Sequence, residues 1–239
     1  MEDADAAALT ANVGLAGAVA AIQVVDPGWG IAASAALPAL QVAITRWQQV
    51  QADRAIETLN AAAEEAGLGA DDLIDRLIAD EERLSLLAAA LNAATSTAMR
   101  AKIAALGRSL GALAVDSARI DPETVWIRIL SDIEAPHVRI LQFLLREDPE
   151  APGHLRIVHP GNLGDTTSTI CVARVLLHTL EQHGLAREVT ANMVGEETRR
   201  RVGWVPGAPG QAGRRWYMAG NLAQECIDRL EKAGRNSDR

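Results

Sequence analysis

Residues 79–114, ADEERLSLLAAALNAATSTAMRAKIAALGRSLGALA, constrain this chain more than any other stretch. They contain no proline, and their β-branched residues are only Thr95, Thr97 and Ile103. Leu84, Leu87, Leu91, Ala94 and Ala98 step by three and four. Met99, Ile103, Leu106, Leu110 and Leu113 repeat the spacing, displaced by one residue. Such steps gather side chains on one helical face, which only an apolar neighbour shields from water. The stretch therefore predicts a long helix with partner helices before and after it. Composition agrees: 49% of the 239 residues are apolar but only 3% are aromatic, which favours helices packed through small side chains over a β-sandwich.

Partner helices are legible on both sides. Pro38 reads as the first turn of a helix reaching residue 66, with Gly67 as its stop. Asp71 and Asp72 open a short helix with Leu73, Leu77 and Ile78 inward, their carboxylates favourable at the positive end of the helix dipole. Asp121 reads as an N-cap followed by Pro122, with Trp126, Ile129, Leu130 and Ile133 at helical spacing. Pro136 then permits a helix over 137–145, apolar at Val138, Leu141, Leu144 and Leu145.

The N-terminal region is less ordinary. Residues 6–25 and 28–45 carry no charge, and Asp26-Pro27 between them has the chemistry of a turn. This 6–45 segment reads as an apolar hairpin. Two expectations stay open for it: contact with the protein's own core or a second copy, making a homo-oligomer, or insertion in a membrane, which about 20 apolar residues can span. Gly14, Gly17, Ala21 and Ala33 are small enough for close helix contact and, with Trp29, are the candidate membrane or oligomer positions. Against insertion, alanine contributes little transfer free energy, Pro38 interrupts the second arm, and no Lys/Arg cluster flanks either arm. The acidic start lacks the basic region of a secretory signal. The expectation is a cytoplasmic protein, membrane-associated if the hairpin inserts.

Residues 147–153, EDPEAPG, read as a polar linker. The expected fold class is thus mainly α: a helical domain over 1–146, a small α+β domain over 154–233, and a disordered tail over 234–239. In the second part, His159-Pro160-Gly161-Asn162 is a turn. Asp165 or Thr166 caps a helix to residue 183, buried along Ile170, Val172, Val175, Leu176 and Leu180, and Gly184 ends it. Residues 186–194 and 214–218 are strand candidates on either side of a Gly- and Pro-rich loop. A last helix over 221–233 has Leu222, Cys226, Ile227 and Leu230 on one face. Charge divides with the domains. Residues 1–150 hold 22 Asp/Glu against 11 Lys/Arg, while residues 151–239 hold 9 against 12. An acidic surface repels nucleic acid and a basic one can approach it.

The order helix, strand, loop, strand, helix, with Leu180, Gly184 and Leu185 in a Leu-x-x-x-Gly-Leu pattern, resembles the winged-helix module of bacterial transcription regulators. The resemblance covers 154–233. It implies that the 166–183 helix reads a DNA groove and that 186–218 forms the wing. Arg199, Arg200, Arg201, Arg214 and Arg215 fall in or beside that wing, with Trp204 and Trp216 interleaved. Arg174 and His178 lie on the exposed side of the helix. These seven basic residues are the candidate nucleic-acid contacts, because guanidiniums neutralise phosphates. Residues 82–91 and 137–141, with the apolar segment before them, resemble the abortive-infection alpha family of helical proteins in bacteria and phages. That likeness implies a role in phage defence and carries over no functional residue.

Catalytic patterns are missing: there is no phosphate-binding glycine loop, nucleophile elbow or zinc spacing. Glu134 and His137 lie three apart, but Pro136 between them favours helix capping over metal binding. The two cysteines, Cys171 and Cys226, read as buried free thiols. The expectation is a protein without catalytic residues, metal, cofactor or small-molecule substrate. It binds partner chains through its helices and an acidic surface, DNA being one such, through its basic wing. The alternative is a membrane-associated effector acting through the 6–45 hairpin.

Overall fold

The computed structural model describes residues 27–148, 151–163, 167–190, 193–201 and 215–237. Their side chains are described from residue 41 on, apart from 151–153, 167–169, 201, 236 and 237. The described residues are mainly helical, with two small antiparallel two-stranded sheets among them. The chain divides into two units, Met1–Ala52 and Asp53–Arg239.

Of the first unit, the described part is the beginning of helix α1 (Pro27–Ala66). The turn expected at Asp26-Pro27 falls at this edge, with Pro27 already helical and Asp26 outside the described residues. The helix also runs through Pro38, expected in its first turn. An interior proline removes one backbone hydrogen bond and crowds the preceding turn, and the alanines around Pro38, the strongest helix formers, offset that cost. Val42 and Trp47 are 68% and 60% exposed. Among the described residues no helix is long and apolar enough to cross a membrane.

In the second unit, α1 ends at Gly67, whose φ of 64° is the left-handed turn that only glycine adopts cheaply. Helix α2 (Ala70–Leu77) buries Leu73 and Leu77, while Ile78 lies past its end and is exposed. The long helix expected over 79–114 is two helices, α3 (Glu81–Ser96) and α4 (Arg100–Val115). The one-residue displacement in the apolar pattern marks their junction. There the Thr97 hydroxyl accepts from the Met99 amide at 3.2 Å and donates to Glu134 at 2.8 Å. The inward face of α3 is Leu86, Leu87, Ala90, Ala93 and Ala94. Leu84 and Ala98, counted inward from spacing, are exposed.

Helix α4 is the centre of the core, with Ile103, Leu106, Leu110 and Leu113 almost fully buried. Two glycines let it approach α1. A Cβ on Gly107 would collide with the Thr58 carbonyl oxygen, and one on Gly111 would lie 2.5 Å from that of Ala62. Lys102, on the same helix, is completely buried, yet its three ammonium protons are all used. They go to the carbonyls of Ser131 and Ile133, both at 3.0 Å, and to Glu134 at 2.8 Å. A buried charge is tolerable when it is paired and fully hydrogen-bonded, and this one sits at the negative end of the next helix.

That helix, α5 (Ile120–Asp132), follows a 3-10 turn at Ser117–Arg119. Asp116 caps the turn by accepting from the Ala118 amide, so Asp121, expected as the N-cap, lies inside the first turn instead. Trp126, Ile129, Leu130 and Ile133 are buried as spacing predicts. Helix α6 (Ala135–Leu145) begins with the Glu134 amide donating to His137 Nδ1 at 3.0 Å, the capping role expected of that pair. Leu141 and Leu144 are buried beneath it.

The residues read as a linker hold strand β1 (Glu147–Asp148) and the start of β2 (Ala151–Leu155), an antiparallel ribbon. The hydrophobic core continues on both sides of it, from Ala62 to Ala233. A 3-10 turn (Pro160–Leu163) leads to α7 (Thr167–Gln182). Its inward residues are Ala173, Leu177 and Leu180. Val172 and Val175, expected inside, are exposed, because the buried stripe is rotated from the one counted. Cys171 is likewise exposed, whereas Cys226 is buried and its thiol is pushed up to about 12 by that burial. Strand β3 (Ala186–Val189) pairs with β4 (Trp216–Ala219). Between them lies helix α8 (Glu196–Arg201), in the stretch between the strand expected over 186–194 and the Gly- and Pro-rich loop, to which the sequence assigns no element. The last helix, α9 (Ala223–Ser237), packs Cys226, Ile227 and Leu230 inward and runs four residues past its expected end at 233, into the stretch read as a disordered tail.

Candidate functional site

Arg174 and His178 are four residues apart on α7, so they share the exposed face that its buried stripe leaves outward. Gly184, at φ 68°, ends the helix and sends the chain into β3. Pairing of Val189 with Trp216 fixes the register of β4. Two-residue alternation then sets Arg215 and Tyr217 on the same side. Tyr217 is locked by reciprocal 2.8 Å backbone hydrogen bonds with Val158, whose bridge also brings Pro160 alongside.

These five residues, Pro160, Arg174, His178, Arg215 and Tyr217, line one recess of about 220 Å³. Burial pushes the Tyr217 phenol upward, and the hydrogen bond from Arg215 only partly opposes this, so the hydroxyl stays protonated at neutral pH. Arg174 has no ion-pair or hydrogen-bond partner among the described residues. Arg215 lies 3.5 Å from Glu188, and His178 lies 3.8 Å from Glu181 and 3.2 Å from Gln182. These pairs are exposed, and solvent screening leaves such ion pairs worth little. An incoming anion can therefore replace Glu188 at Arg215 at little cost.

Of the seven basic residues singled out by sequence, the recess unites Arg174, His178 and Arg215. Arg199 and Arg200 lie apart from it on α8, where Arg200 is engaged by Glu196 one turn earlier. The Arg199 Nε is buried without a hydrogen-bond partner. The Arg201 side chain and the whole of Arg214 lie outside the described residues, as does Trp204. Trp216 is buried against the His159 ring at 5.5 Å and offers no exposed stacking surface. Gly14, Gly17 and Ala21 lie outside the described residues. Trp29 and Ala33 belong to α1, with their side chains undescribed. Pro160 and Tyr217 were missed, although the alternation in Arg-Trp-Tyr-Met carried the signal for Tyr217.

Among the described residues no group of three or more His, Cys, Asp or Glu side chains is placed to hold a metal ion. No family model matches the chain, and no curated protein or solved structure matches it either.

Proposed function

We propose that this chain is a binding protein whose C-terminal part contacts an acidic partner through the recess of Arg174, His178, Arg215 and Tyr217, DNA being the partner to test first. The observation that carries the reading is the convergence of three basic side chains from two separated elements on one open recess. All four polar groups can donate hydrogen bonds, and among the described residues no carboxylate lines the recess. Phosphates are the acceptors that such a set suits. The order of α7, β3, β4 and α9 is compatible with a winged-helix-like module, in which α7 and the β3–β4 hairpin face the duplex together. Helix α8 within the hairpin connection is a departure from a simple wing. A DNA titration of the full chain against its Arg174→Gln/Arg215→Gln variant tests this reading.

Exposed Val42 and Trp47 favour a second activity for the N-terminal helix, association with another copy of the chain. Large apolar side chains on an open helix are stabilised by a partner surface. Sedimentation of the Trp47→Glu chain against wild type tests it, and flotation with liposomes at high salt separates self-association from the membrane-effector alternative.

A further inference from the structure

A second cavity, of about 270 Å³, opens where the end of α1 meets α4, α5 and α9. Its wall carries Arg108, Arg119, Arg229 and Lys232 against two carboxylates, Glu65 and Glu123. Glu123 is consumed internally: Arg119 reaches it at 2.9 Å and Arg229 at 2.9 and 3.3 Å. From outside the wall, Glu225 also draws on Arg229, at 3.3 Å. Glu65 stands 3.8 Å from Arg108 Nε, too long for a good hydrogen bond. Two cations are left poorly answered. Arg108 Nη1 is buried and has no hydrogen-bond partner, and Lys232 has no ion pair among the described residues. A buried guanidinium nitrogen without an acceptor is costly, and Arg108 and Lys232 both line this cavity, Arg108 also lining a neighbouring one beside Glu57 and Glu64.

We infer that this cavity binds a phosphate dianion, as the free ion or as the head of a small phosphomonoester. Among the described residues the lining has two more cations than carboxylates, which matches a phosphate group carrying about two negative charges at neutral pH. The Arg108 guanidinium and the Lys232 ammonium supply the direct contacts, while the Glu123 pairs hold Arg119 and Arg229 as a fixed positive wall. The volume suits a phosphate with little else enclosed, since full ligand pockets are typically about 300–1,000 Å³. The site shares no residue with the Arg174–Arg215 recess, so it stands or falls independently of the proposed function.

The test is isothermal titration of the full chain with sodium phosphate against a sodium chloride background of equal ionic strength, repeated with glycerol 3-phosphate. Expected is one saturable site, weakened about tenfold by Lys232→Gln and again by Arg108→Gln, and unchanged by Arg174→Gln/Arg215→Gln. Lys232 is exposed, so its variant keeps the fold. Tighter binding of glycerol 3-phosphate assigns a phosphomonoester, and equal binding assigns inorganic phosphate. Absence of saturable heat with either titrant, or affinity unaffected by Lys232→Gln, overturns the assignment.

Discussion

Arg229 of α9 holds Glu123 of α5 with two hydrogen bonds, 2.9 and 3.3 Å long, across 106 residues of sequence. Glu123 is 1% exposed and also receives Arg119, while the Arg229 guanidinium lies 4.4 Å above the Trp126 ring. Desolvation pushes the Glu123 carboxyl upward, but its hydrogen bonds, that from Arg229 foremost, outweigh this and leave it below the ordinary carboxylate value. Removing one side of a buried pair strands the other charge. Arg229→Met should therefore lower the unfolding free energy by about 3 kcal/mol in urea titrations. A loss well under about 1 kcal/mol would mean the pair behaves as a surface contact.

The approach of α4 to α1 depends on two missing side chains. Gly107→Ala and Gly111→Ala each force the helices apart, and overpacking of this kind costs about 1–3 kcal/mol. Gly195→Ala is the control, since a Cβ there meets nothing within 4 Å. Thermal melts of the three variants compare the costs directly, and equal melting temperatures at 107 and 195 would refute the close approach.

Lys102 satisfies two carbonyls at the end of α5 and the Glu134 carboxylate. Lys102→Met keeps the stem's volume and removes all three donors. Each buried acceptor left unmade costs about 1–3 kcal/mol, so this variant should be among the least stable single substitutions in the chain. Denaturant midpoints matching wild type would contradict that.

His137 brings a pH dependence. Its Nδ1 accepts from the Glu134 amide, which requires an uncharged ring on that side, and burial pushes its pKa below the ordinary 6.5. A histidine with a lowered folded pKa contributes stability that is present above the ordinary value and lost as pH falls below it. Stability should decline as pH drops below 6.5, and His137→Asn, whose amide oxygen can accept the same bond, should flatten that decline. The check is a series of urea titrations between neutral and mildly acidic pH, and an unchanged slope in the variant would contradict it.

Much of this architecture was legible because helical spacing and glycine stops are local signals. Gly67 and Gly184 end their helices where expected, and Trp126, Ile129, Leu130, Leu141 and Leu180 lie in the core as counted. The failures have a common cause. A helix apolar on several faces leaves the rotation of its buried stripe open, as the alanines do in α3 and Val175-Leu176-Leu177 does in α7, so spacing alone did not choose Leu86 over Leu84, nor Leu177 over Val175. Pairings between distant elements carry no local mark, which is why nothing in the sequence singled out the buried contacts of Lys102, Glu123 and Arg229. In the recess, Arg174, His178 and Arg215 were legible as basic residues near a hairpin. That they meet, while Arg199 and Arg200 stand apart on α8, depends on the β3–β4 register and on the Val158 bridge.

The most direct measurement is the salt dependence of DNA binding, read by fluorescence anisotropy on a short labelled duplex with the full chain. Each phosphate contact contributes about 0.9 to the slope of log affinity against log salt. Wild type should bind with a clear negative slope, and Arg174→Gln/Arg215→Gln should bind more weakly, with a slope shallower by about 2. Identical affinity and slope in the two proteins, or no binding by wild type at low salt, would contradict the assignment of this recess to nucleic acid.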